Sequence, residues 1–343
     1  MNAVLEALAH VEETVRSNLA NQWTIAFSGG KDSSALLCLV YDRVLRLRHL
    51  GSPKLDILYC DTKSENPIVD SFAKQFLHLF KAEAAANDVV VQTSIVSPTA
   101  DRTFLSRVIG RGYPPPTNSF RWCTTELRIR PVEYHLAGLD NAVVALGVRE
   151  SESQQRDRAL SHHPDPFWMV AQNAKSKRKY YTPIRAMQTE DVWDTIFFTK
   201  YPIALQRQKL WDLYADAGGD CPIIRTADAS PCASGRFGCW TCTVVRRDRS
   251  GENLSKKGYP LMTSLLAFRQ MLMDIRNDPS MRWPKRRNGS MGYGPLTIAA
   301  RRILLEEVRR IESSEGISIL DKAELAYIAD QWDGDLVNEL CFN

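Results

Sequence analysis

The sequence has no apolar run long enough to cross a bilayer. A membrane-spanning helix needs roughly 20 consecutive apolar residues, and polar residues interrupt every apolar segment of this chain well before that length. A secretion signal is missing as well, because apolar residues recur at helical spacing near the N-terminus with glutamates between them. The sequence therefore predicts an amphipathic helix over residues 1–20, no membrane contact and a location in the cytoplasm.

A large net charge is also missing. The chain has 44 basic and 40 acidic side chains, which leaves a charge of +4 at pH 7, and this balance identifies no partner. The distribution is more informative, because eleven basic and four acidic residues lie between Arg246 and Arg287. We expect this basic segment either to lie against phosphates or to form a solvated surface.

Short apolar segments alternate with segments of helical periodicity in the first part of the chain. The strand-like runs are residues 23–27, 55–60, 89–96 and 142–147. Parallel strands that are covered on both faces give this pattern. The sequence thus predicts an α/β fold, with a parallel sheet sandwiched by helices over residues 1–210. Residues 211–343 are predicted to form a cysteine-containing, mostly helical C-terminal region.

A loop of small residues joins the first predicted strand to the helix that follows it. Residues 28–33 of this loop read Ser-Gly-Gly-Lys-Asp-Ser, which is not the spacing of a Walker loop. Two glycines let backbone N–H groups approach an anion, and the helix N-terminus adds the positive end of its dipole. The loop therefore predicts a phosphate cradle, with a glycine turn capped by Asp32 and Ser33 as the plain structural alternative.

Other polar residues follow later strands of the predicted sheet. Asp61 comes after the second strand, and Gly147 and Arg149 come after the fourth. Because ligands of parallel sheets bind beyond the carboxyl ends of the strands, we expect these residues to share a site with the loop. The polar residues 151–180 predict a mobile segment near that site, and its paired histidines, His162 and His163, indicate a solvated loop rather than a metal site.

The eight cysteines are not expected to form disulfides in the cytoplasm. Four of them fall within 22 positions of a segment that contains glycine and proline, and could surround a metal: Cys221, Cys232, Cys239 and Cys242. Tetrahedral zinc and a cubane iron–sulfur cluster both accept four thiolates, and spacing alone favours zinc. Metal-free thiols, or a redox pair at the C-x-x-C, are the alternatives.

A further cysteine, Cys123, lies among Arg121, Arg128 and Arg130 in the sequence. Positive neighbours lower the pKa of a thiol and favour the thiolate, so a lowered pKa is predicted here. Cys123 could carry a persulfide or approach an activated phosphate. It could equally be a packed wall of the nucleotide pocket.

Several of these segments resemble a known superfamily. The hexapeptide at residues 28–33 matches the SGGxDS signature of PP-loop ATP pyrophosphatases, and Trp122-Cys123-Thr124 together with residues 147–151 resembles their phosphoadenylylsulfate reductase branch. Residues 236–242 (Arg-Phe-Gly-Cys-Trp-Thr-Cys) and 294–297 (Gly-Pro-Leu-Thr) are similar to the DNA phosphorothioation sulfurtransferases of the DndC/SspD type. The resemblance spans roughly residues 20–310.

The resemblance implies that ATP adenylates a DNA backbone phosphate with release of pyrophosphate, and that a sulfur nucleophile then displaces AMP. It implies Mg²⁺ near Asp32, a [4Fe–4S] cluster rather than zinc at the four cysteines, a cysteine desulfurase as sulfur donor, and DNA with other modification subunits as partners. Catalytic roles are implied for Asp32, Cys123 and Arg149. The implied nucleotide contacts are Ser28, Gly29, Gly30, Lys31, Asp32, Ser33, Asp61, Gly147, Arg149 and Arg156.

Three alternatives compete with this interpretation. A sulfonucleotide reductase of the related type would carry a Glu-Cys-Gly motif near the C-terminus, whereas Cys341 stands in Glu-Leu-Cys-Phe, and the chain has no Cys-Cys pair. A tRNA thiolase shares the loop but usually has different flanking motifs. A nucleotide-sensing subunit of a DNA-bound complex would bind ATP without releasing pyrophosphate.

Overall fold

The computed structural model describes residues 3–17, 22–51, 53–139, 142–150, 163–170, 178–218 and 237–342, with side chains up to residue 335. The described residues pack into two units. The first falls within Met1–Cys60, Pro67–Val96 and His135–Phe237, and the second within Asp61–Asn66, Ser97–Tyr134 and Gly238–Asn343. Neither unit is therefore a continuous stretch of the chain.

A six-stranded sheet forms the centre of the first unit. Its strands are β1 (Gln22–Phe27), β2 (Lys54–Cys60), β3 (Val91–Val96), β4 (Ala142–Ala145), β5 (Trp168–Val170) and β6 (Lys179–Tyr181). Their order is β3-β2-β1-β4-β6-β5, and every neighbouring pair is parallel except β5 with β6. Five consecutive residues of β2 are buried, so both faces of this strand are covered, as in parallel sheets. The predicted α/β fold with a mostly parallel sheet is confirmed.

Helices surround this sheet. They are α1 (Ala3–Arg16), α2 (Lys31–Leu47), α3 (Pro67–Ala86), α4 (Arg130–Ala137, which the division between the units crosses), α5 (Thr189–Phe198) and α6 (Arg207–Gly218). The helix α2 is buried along most of its length and packs against α1 and α5. Aromatic contacts fix α3, since the Phe76 ring lies 4.8 Å from Phe27 and the Phe80 ring 4.7 Å from Tyr41. The helix α3 thus packs against both the end of β1 and the middle of α2.

A fully buried carboxylate, Asp56, interrupts the apolar strand β2. The Ser94 hydroxyl donates a hydrogen bond of 2.6 Å to its Oδ1 atom, and the Nε2 atom of His135 lies 2.8 Å from its Oδ2 atom. Burial of an unpaired carboxylate is costly, so these two partners are what make Asp56 tolerable in the sheet.

The second unit is mostly helical. It contains α7 (Arg249–Lys256), α8 (Pro260–Asn277), α9 (Ile298–Glu315) and α10 (Lys322–Phe342), together with two π-helical turns, Ser106–Gly110 and Thr124–Ile129. Both α9 and α10 pack against the first of these turns. There, the Trp332 indole donates to the Ile109 carbonyl at 2.8 Å and the Arg301 guanidinium to the Gly110 carbonyl at 2.5 Å. Side chains thus satisfy buried backbone acceptors of the turn, and the predicted helical C-terminal region is confirmed.

Element boundaries lie close to those predicted from the sequence. The predicted helix over residues 1–20 is α1, and the strand predicted at 142–147 is β4, which ends at Ala145, one residue before the Leu146 N–H donates to the Tyr181 carbonyl of β6 at 2.8 Å. The boundary predicted between residues 210 and 211 stays a prediction, since the two units are defined by packing and not by independent folding.

Among the described helices, none has the length and apolar character that crossing a membrane requires.

Candidate functional site

The loop of residues 28–33 lies where the strand order of the sheet reverses. Strand β1 pairs with β2 on one side and with β4 on the other, so the carboxyl ends of β1 and β4 are neighbours. Open parallel sheets bind ligands in the crevice at such a point. The loop follows β1, and Gly147 and Arg149 follow β4. The structure therefore brings these residues together, as the sequence predicts.

The backbone of the loop requires glycine at its first turn. Gly29 has a φ of +74°, and a Cβ atom there would lie 2.9 Å from the Cβ of Ala73. Gly30 is the N-cap of α2, and no side chain caps this helix. The Ser33 hydroxyl instead donates to the Gly30 carbonyl at 2.9 Å and accepts the Ser28 N–H at 3.1 Å. The Ser33 side chain thus caps the turn, whereas the Asp32 carboxylate contacts Lys31 and Arg149 instead.

Several backbone donors of the loop remain available to a ligand. Within the described chain no acceptor is found for the N–H groups of Gly29, Gly30, Asp32 and Ser33. By contrast, the Lys31 N–H donates to the Tyr214 hydroxyl at 3.1 Å. Unpaired N–H groups at a helix N-terminus bind anions, since the helix dipole adds positive potential there. This donor set fits the phosphates of a nucleotide.

The Asp32 carboxylate is held between two cations. Its Oδ1 atom lies 2.5 Å from the Nε of Arg149, and its Oδ2 atom lies 3.1 Å from the Nζ of Lys31. Arg149 is only 5 % exposed and also donates to the Met187 carbonyl at 3.1 Å. The carboxylate therefore keeps two positive groups beside the phosphate cradle. A single carboxylate together with ligand phosphates is also a donor set that Mg²⁺ accepts.

Gly147 allows the end of β4 to lie directly against α2. A Cβ atom at this position would come within 3.0 Å of the backbone of Asp32 and Ser33. Any larger residue would push the chain that carries Arg149 away from the loop. The glycine is thus required for packing at the site, and its predicted contact with adenosine stays a prediction.

The second unit contains a group of three cysteines. Cys239 and Cys242 lie in one turn, with the Cys242 N–H donating to the Cys239 carbonyl at 3.0 Å. Cys123 lies close to this turn, since Cys242 contributes to raising the pKa of the Cys123 thiol. The Nη2 atom of Arg128 is 3.8 Å from the Cys239 sulfur and 2.6 Å from a carboxylate oxygen of Glu65. The structure thus joins Cys123 to the C-x-x-C pair, which the sequence analysis treated separately.

Burial makes two of these thiols, Cys239 and Cys123, less acidic. It raises the pKa of Cys239 to about 12, with Glu65 adding to the rise and Arg128 opposing it. It also raises the pKa of Cys123, and the neighbouring Cys242 adds to that rise. The lowered pKa predicted for Cys123 is therefore wrong, because desolvation disfavours the thiolate.

The basic neighbours of Cys123 in sequence are engaged elsewhere. Arg121 donates to Asn118 at 2.8 Å, Arg130 lies 3.3 Å from a carboxylate oxygen of Glu126, and Arg128 contacts Glu65. Arg128 and Arg130 thus pair with carboxylates, which offset much of their positive charge. This is why counting cations along the sequence gave the wrong direction for the thiol pKa.

A comparison with protein families decides where the chain belongs. The family model described as the phosphoadenosine phosphosulfate reductase domain matches residues 22–245, well over half of the chain. The protein belongs to this family. It is therefore a member of the PP-loop ATP pyrophosphatase superfamily, in agreement with the phosphate cradle at the sheet's switch point.

Solved structures give weaker similarities to this PAPS reductase-domain chain. PAPS reductase from Candida auris is 14 % identical, with a TM-score of 0.38, 59 % of this chain covered and 81 % of that one. FMN adenylyltransferase from Candida glabrata is 12 % identical with a TM-score of 0.39, and the match covers 66 % of this chain and 65 % of that one. NH3-dependent NAD synthetase from Campylobacter jejuni is 15 % identical with a TM-score of 0.36, and the match covers 60 % of this chain and 76 % of that one. No curated protein matches the chain. The substrate of this family member does not follow from these similarities.

Four of the predicted site residues are not placed at a site by the structure. Asp61 belongs to the second unit, where its carboxylate accepts the Lys63 N–H at 2.8 Å. Arg156, Cys221 and Cys232 lie outside the described residues, as do His162 and most of the segment predicted to be mobile. Their roles in this family member stay predictions.

The predicted metal centre does not assemble from the described cysteines alone. Across the ranges that the structure describes, no group of three His, Cys, Asp or Glu side chains is placed to hold a metal ion. Cys239 and Cys242 supply two thiols, and the other two predicted ligands lie outside those ranges. The four-cysteine site therefore stays a prediction, and no chemical step is derived through it.

Sequence reasoning missed two groups that shape the phosphate cradle. The Tyr214 hydroxyl accepts the Lys31 N–H, and the Lys31 ammonium lies 5.3 Å from the centre of the same ring. The Met187 carbonyl holds Arg149. Neither residue stands near the loop in sequence, and no local motif marks them, so only the fold could reveal these contacts.

Proposed function

We propose that the protein is an ATP-dependent sulfurtransferase that adenylates a DNA backbone phosphate and replaces one of its non-bridging oxygens by sulfur. The observation that carries the proposal is the phosphate cradle, with unpaired backbone N–H groups beside Lys31, Asp32 and Arg149. The group of partly buried thiols supports the sulfur chemistry. The motifs shared with phosphorothioation enzymes support DNA as the substrate.

In the activation step, a non-bridging oxygen of the DNA phosphate attacks the α-phosphorus of ATP. A P–O bond to AMP forms, the bond to the β-phosphate oxygen breaks, and pyrophosphate leaves. Lys31, Arg149 and the loop N–H groups would stabilise the negative charge that develops on the phosphates. Asp32 would orient both cations and hold Mg²⁺, which supplies further charge neutralisation when bound.

In the sulfur step, Cys123 is our candidate for the residue that receives a persulfide from a cysteine desulfurase. The terminal sulfur attacks the activated phosphorus, a P–S bond forms, and AMP leaves with the oxygen. A thiol reductant then cleaves the remaining S–S bond, which releases the phosphorothioate, and a second thiol returns Cys123 to its reduced form with oxidation of the reductant to a disulfide. The partial burial of Cys123 limits the access of water to this sulfur.

Anaerobic reconstitution tests this function. The holo-protein is incubated with desulfurase, cysteine, ATP, Mg²⁺, a thiol reductant and duplex DNA, and the digested DNA is analysed by mass spectrometry. We expect phosphorothioate dinucleotides, with one pyrophosphate and one AMP released for each sulfur inserted. Parallel samples with tRNA or a sulfonucleotide in place of DNA should give no thiolated RNA and no sulfite. Pyrophosphate release with sulfur in tRNA or sulfite would favour the competing enzymes, and ATP binding without pyrophosphate release would favour the nucleotide-sensing subunit.

We also propose that Cys221, Cys232, Cys239 and Cys242 hold a [4Fe–4S] cluster, with zinc as the alternative. Protein purified without oxygen should contain iron and acid-labile sulfide, and Cys239→Ser or Cys242→Ser should lose both. Cys60→Ser is the matched control, because Cys60 ends β2 in the other unit and should keep the iron. Stoichiometric zinc without iron in the wild-type protein would overturn this assignment.

A further inference from the structure

The basic segment 246–287 separates into cations that face inward and cations that face solvent. Arg269 is 4 % exposed and donates to the carbonyls of Cys242, at 2.6 Å, and Val245. Arg276 donates to the Pro116 carbonyl at 2.8 Å, and Arg282 to the Gly294 carbonyl at 2.7 Å. Burial lowers the pKa of both Arg276 and Arg282. These three arginines hold loops in place, so they are not the cations that meet a partner.

Three of the exposed cations of this segment, Lys285, Arg286 and Arg287, stand in one hairpin, residues 282–296. Two antiparallel bridges define it, Arg282 with Leu296 and Lys285 with Met291. Its rungs are backbone hydrogen bonds, from Trp283 to Pro295 at 2.9 Å, from Gly294 to Trp283 at 2.7 Å, from Gly292 to Pro284 at 2.9 Å and from Arg286 to Ser290 at 2.8 Å. All ten residues from 284 to 293 are exposed. The hairpin is thus an ordered structure with a fully accessible tip.

The charge of this hairpin has one sign only. Lys285, Arg286 and Arg287 stand together at its tip, and no acidic residue occurs in the sequence between Asp278 and Glu306. Among the described residues, neither Lys285 nor Arg286 forms an ion pair. Positive charge without internal partners is what a polyanion would neutralise.

Two features of the hairpin place its cations and its apolar groups side by side. The Arg287 guanidinium donates to the Arg111 carbonyl at 2.5 Å and anchors the tip. Gly292 lets the Arg286 guanidinium lie against the opposite strand, since a Cβ at Gly292 would be 3.3 Å from the Arg286 Nη2. Next to these cations, Met291 is 75 % and Tyr293 62 % exposed. The Tyr293 ring also lies 5.9 Å from the Arg282 guanidinium, so cations and exposed apolar side chains lie together on this hairpin.

From these observations we infer that residues 284–293 bind duplex DNA, an inference that rests on the proposed function. A two-stranded β-ribbon fits the major groove, and Lys285 and Arg286 would contact phosphates on the groove edge. Tyr293 and Met291 would lie against sugars or base edges. Cations that contact phosphates fix the position of a protein on DNA without selecting a sequence, so the hairpin would supply affinity rather than sequence preference.

Fluorescence anisotropy of a labelled duplex, titrated with holo-protein over a series of salt concentrations, tests the inference. The double variant Lys285→Ala/Arg286→Ala should weaken binding by about tenfold or more and reduce the slope of log K against log salt by about 1.8, because each lost phosphate contact accounts for about 0.9. Tyr293→Ala should weaken binding with an unchanged slope. The matched control is Lys256→Ala/Lys257→Ala, which removes the same charge from two exposed positions at the end of α7 and should bind nearly as wild type.

Every other outcome overturns the inference. If the hairpin variant and the control bind DNA equally weakly, net charge alone matters. If the hairpin variant binds DNA as the wild type does, the hairpin takes no part in DNA binding. The inference also fails if the wild type binds duplex RNA more strongly than duplex DNA, or does not bind DNA. The same samples report pyrophosphate release and phosphorothioate formation. If the wild type inserts sulfur and the hairpin variant does so equally at limiting DNA, the hairpin assignment fails while the proposed function stands. If the hairpin binds DNA but no sulfur is inserted on full reconstitution, the proposed function fails instead.

Discussion

Asp32→Ala is expected to reduce ATP-dependent pyrophosphate release by about 10²–10³-fold, the range typical of removing one preorganised electrostatic group from an active site. The carboxylate lies 2.5 Å from Arg149 and 3.1 Å from Lys31, so its loss removes the group that pairs with both cations beside the loop. It also removes a carboxylate that can share Mg²⁺ with ATP there. Pyrophosphate release, measured with an enzyme-coupled assay at saturating ATP, checks this result.

Two further variants separate chemistry from folding in this experiment. Asp32→Asn keeps the size of the side chain and a hydrogen-bond acceptor for Arg149 but removes the charge, and it should be nearly as inactive while unfolding at the wild-type denaturant concentration. Asp212→Asn is the matched control, because Asp212 lies exposed on α6 and its carboxylate accepts a hydrogen bond of 2.8 Å from Gln208. Full pyrophosphate release by Asp32→Ala would refute the assignment of the loop.

The sequence predicted the part of the site that depends on residues close to one another in the chain. A buried strand, two glycines and a helix start stand next to one another at residues 23–40, and the geometry of such a junction hardly depends on the rest of the chain. Gly29 shows this, since its φ of +74° is available to few other residues. Gly147 was found in the same way, because the position after a parallel strand already points to the ligand edge.

The contacts that the sequence could not provide join residues far apart in the chain. Tyr214 meets the loop from more than 180 positions away, and no spacing rule connects them. Cys123 and the C-x-x-C pair were separated in the sequence analysis for the same reason. The direction of the Cys123 pKa failed on a different ground, because a sequence reveals charged neighbours but not the burial that outweighs them.

The basic segment shows the limit of counting charges. Its eleven cations include Arg269, which is turned inward to bind two carbonyls, and Lys285, which is exposed on the hairpin. Guanidinium groups have five donors and serve as well for bracing loops as for binding phosphates. Only the position of each side chain distinguishes the two uses, so the segment as a whole could not be assigned from its sequence.

His135→Ala is expected to destabilise the protein by about 3 kcal/mol, the upper end of the cost of leaving a buried hydrogen-bonding group without its partner. The variant leaves the fully buried Asp56 carboxylate with the Ser94 hydroxyl as its remaining partner among the described residues. The His135 side chain keeps 20 % of its surface exposed, so water can replace part of the lost interaction and the cost stays within this range. Urea denaturation measures the loss, and His78→Ala, on the exposed face of α3, should change stability by less than about 0.5 kcal/mol.

A double-mutant cycle determines whether His135 stabilises the protein by compensating the charge of Asp56 or by filling space. In an Asp56→Asn background no buried charge remains, so His135→Ala should cost at least about 1 kcal/mol less than it does in the wild type. An equal cost in both backgrounds would show that His135 acts only by filling space against the sheet. The charged residue within the apolar run 55–60 was the signal for this pair in the sequence. A carboxylate inside a buried strand must have a partner, and the fold alone identifies that partner as His135, 79 positions later.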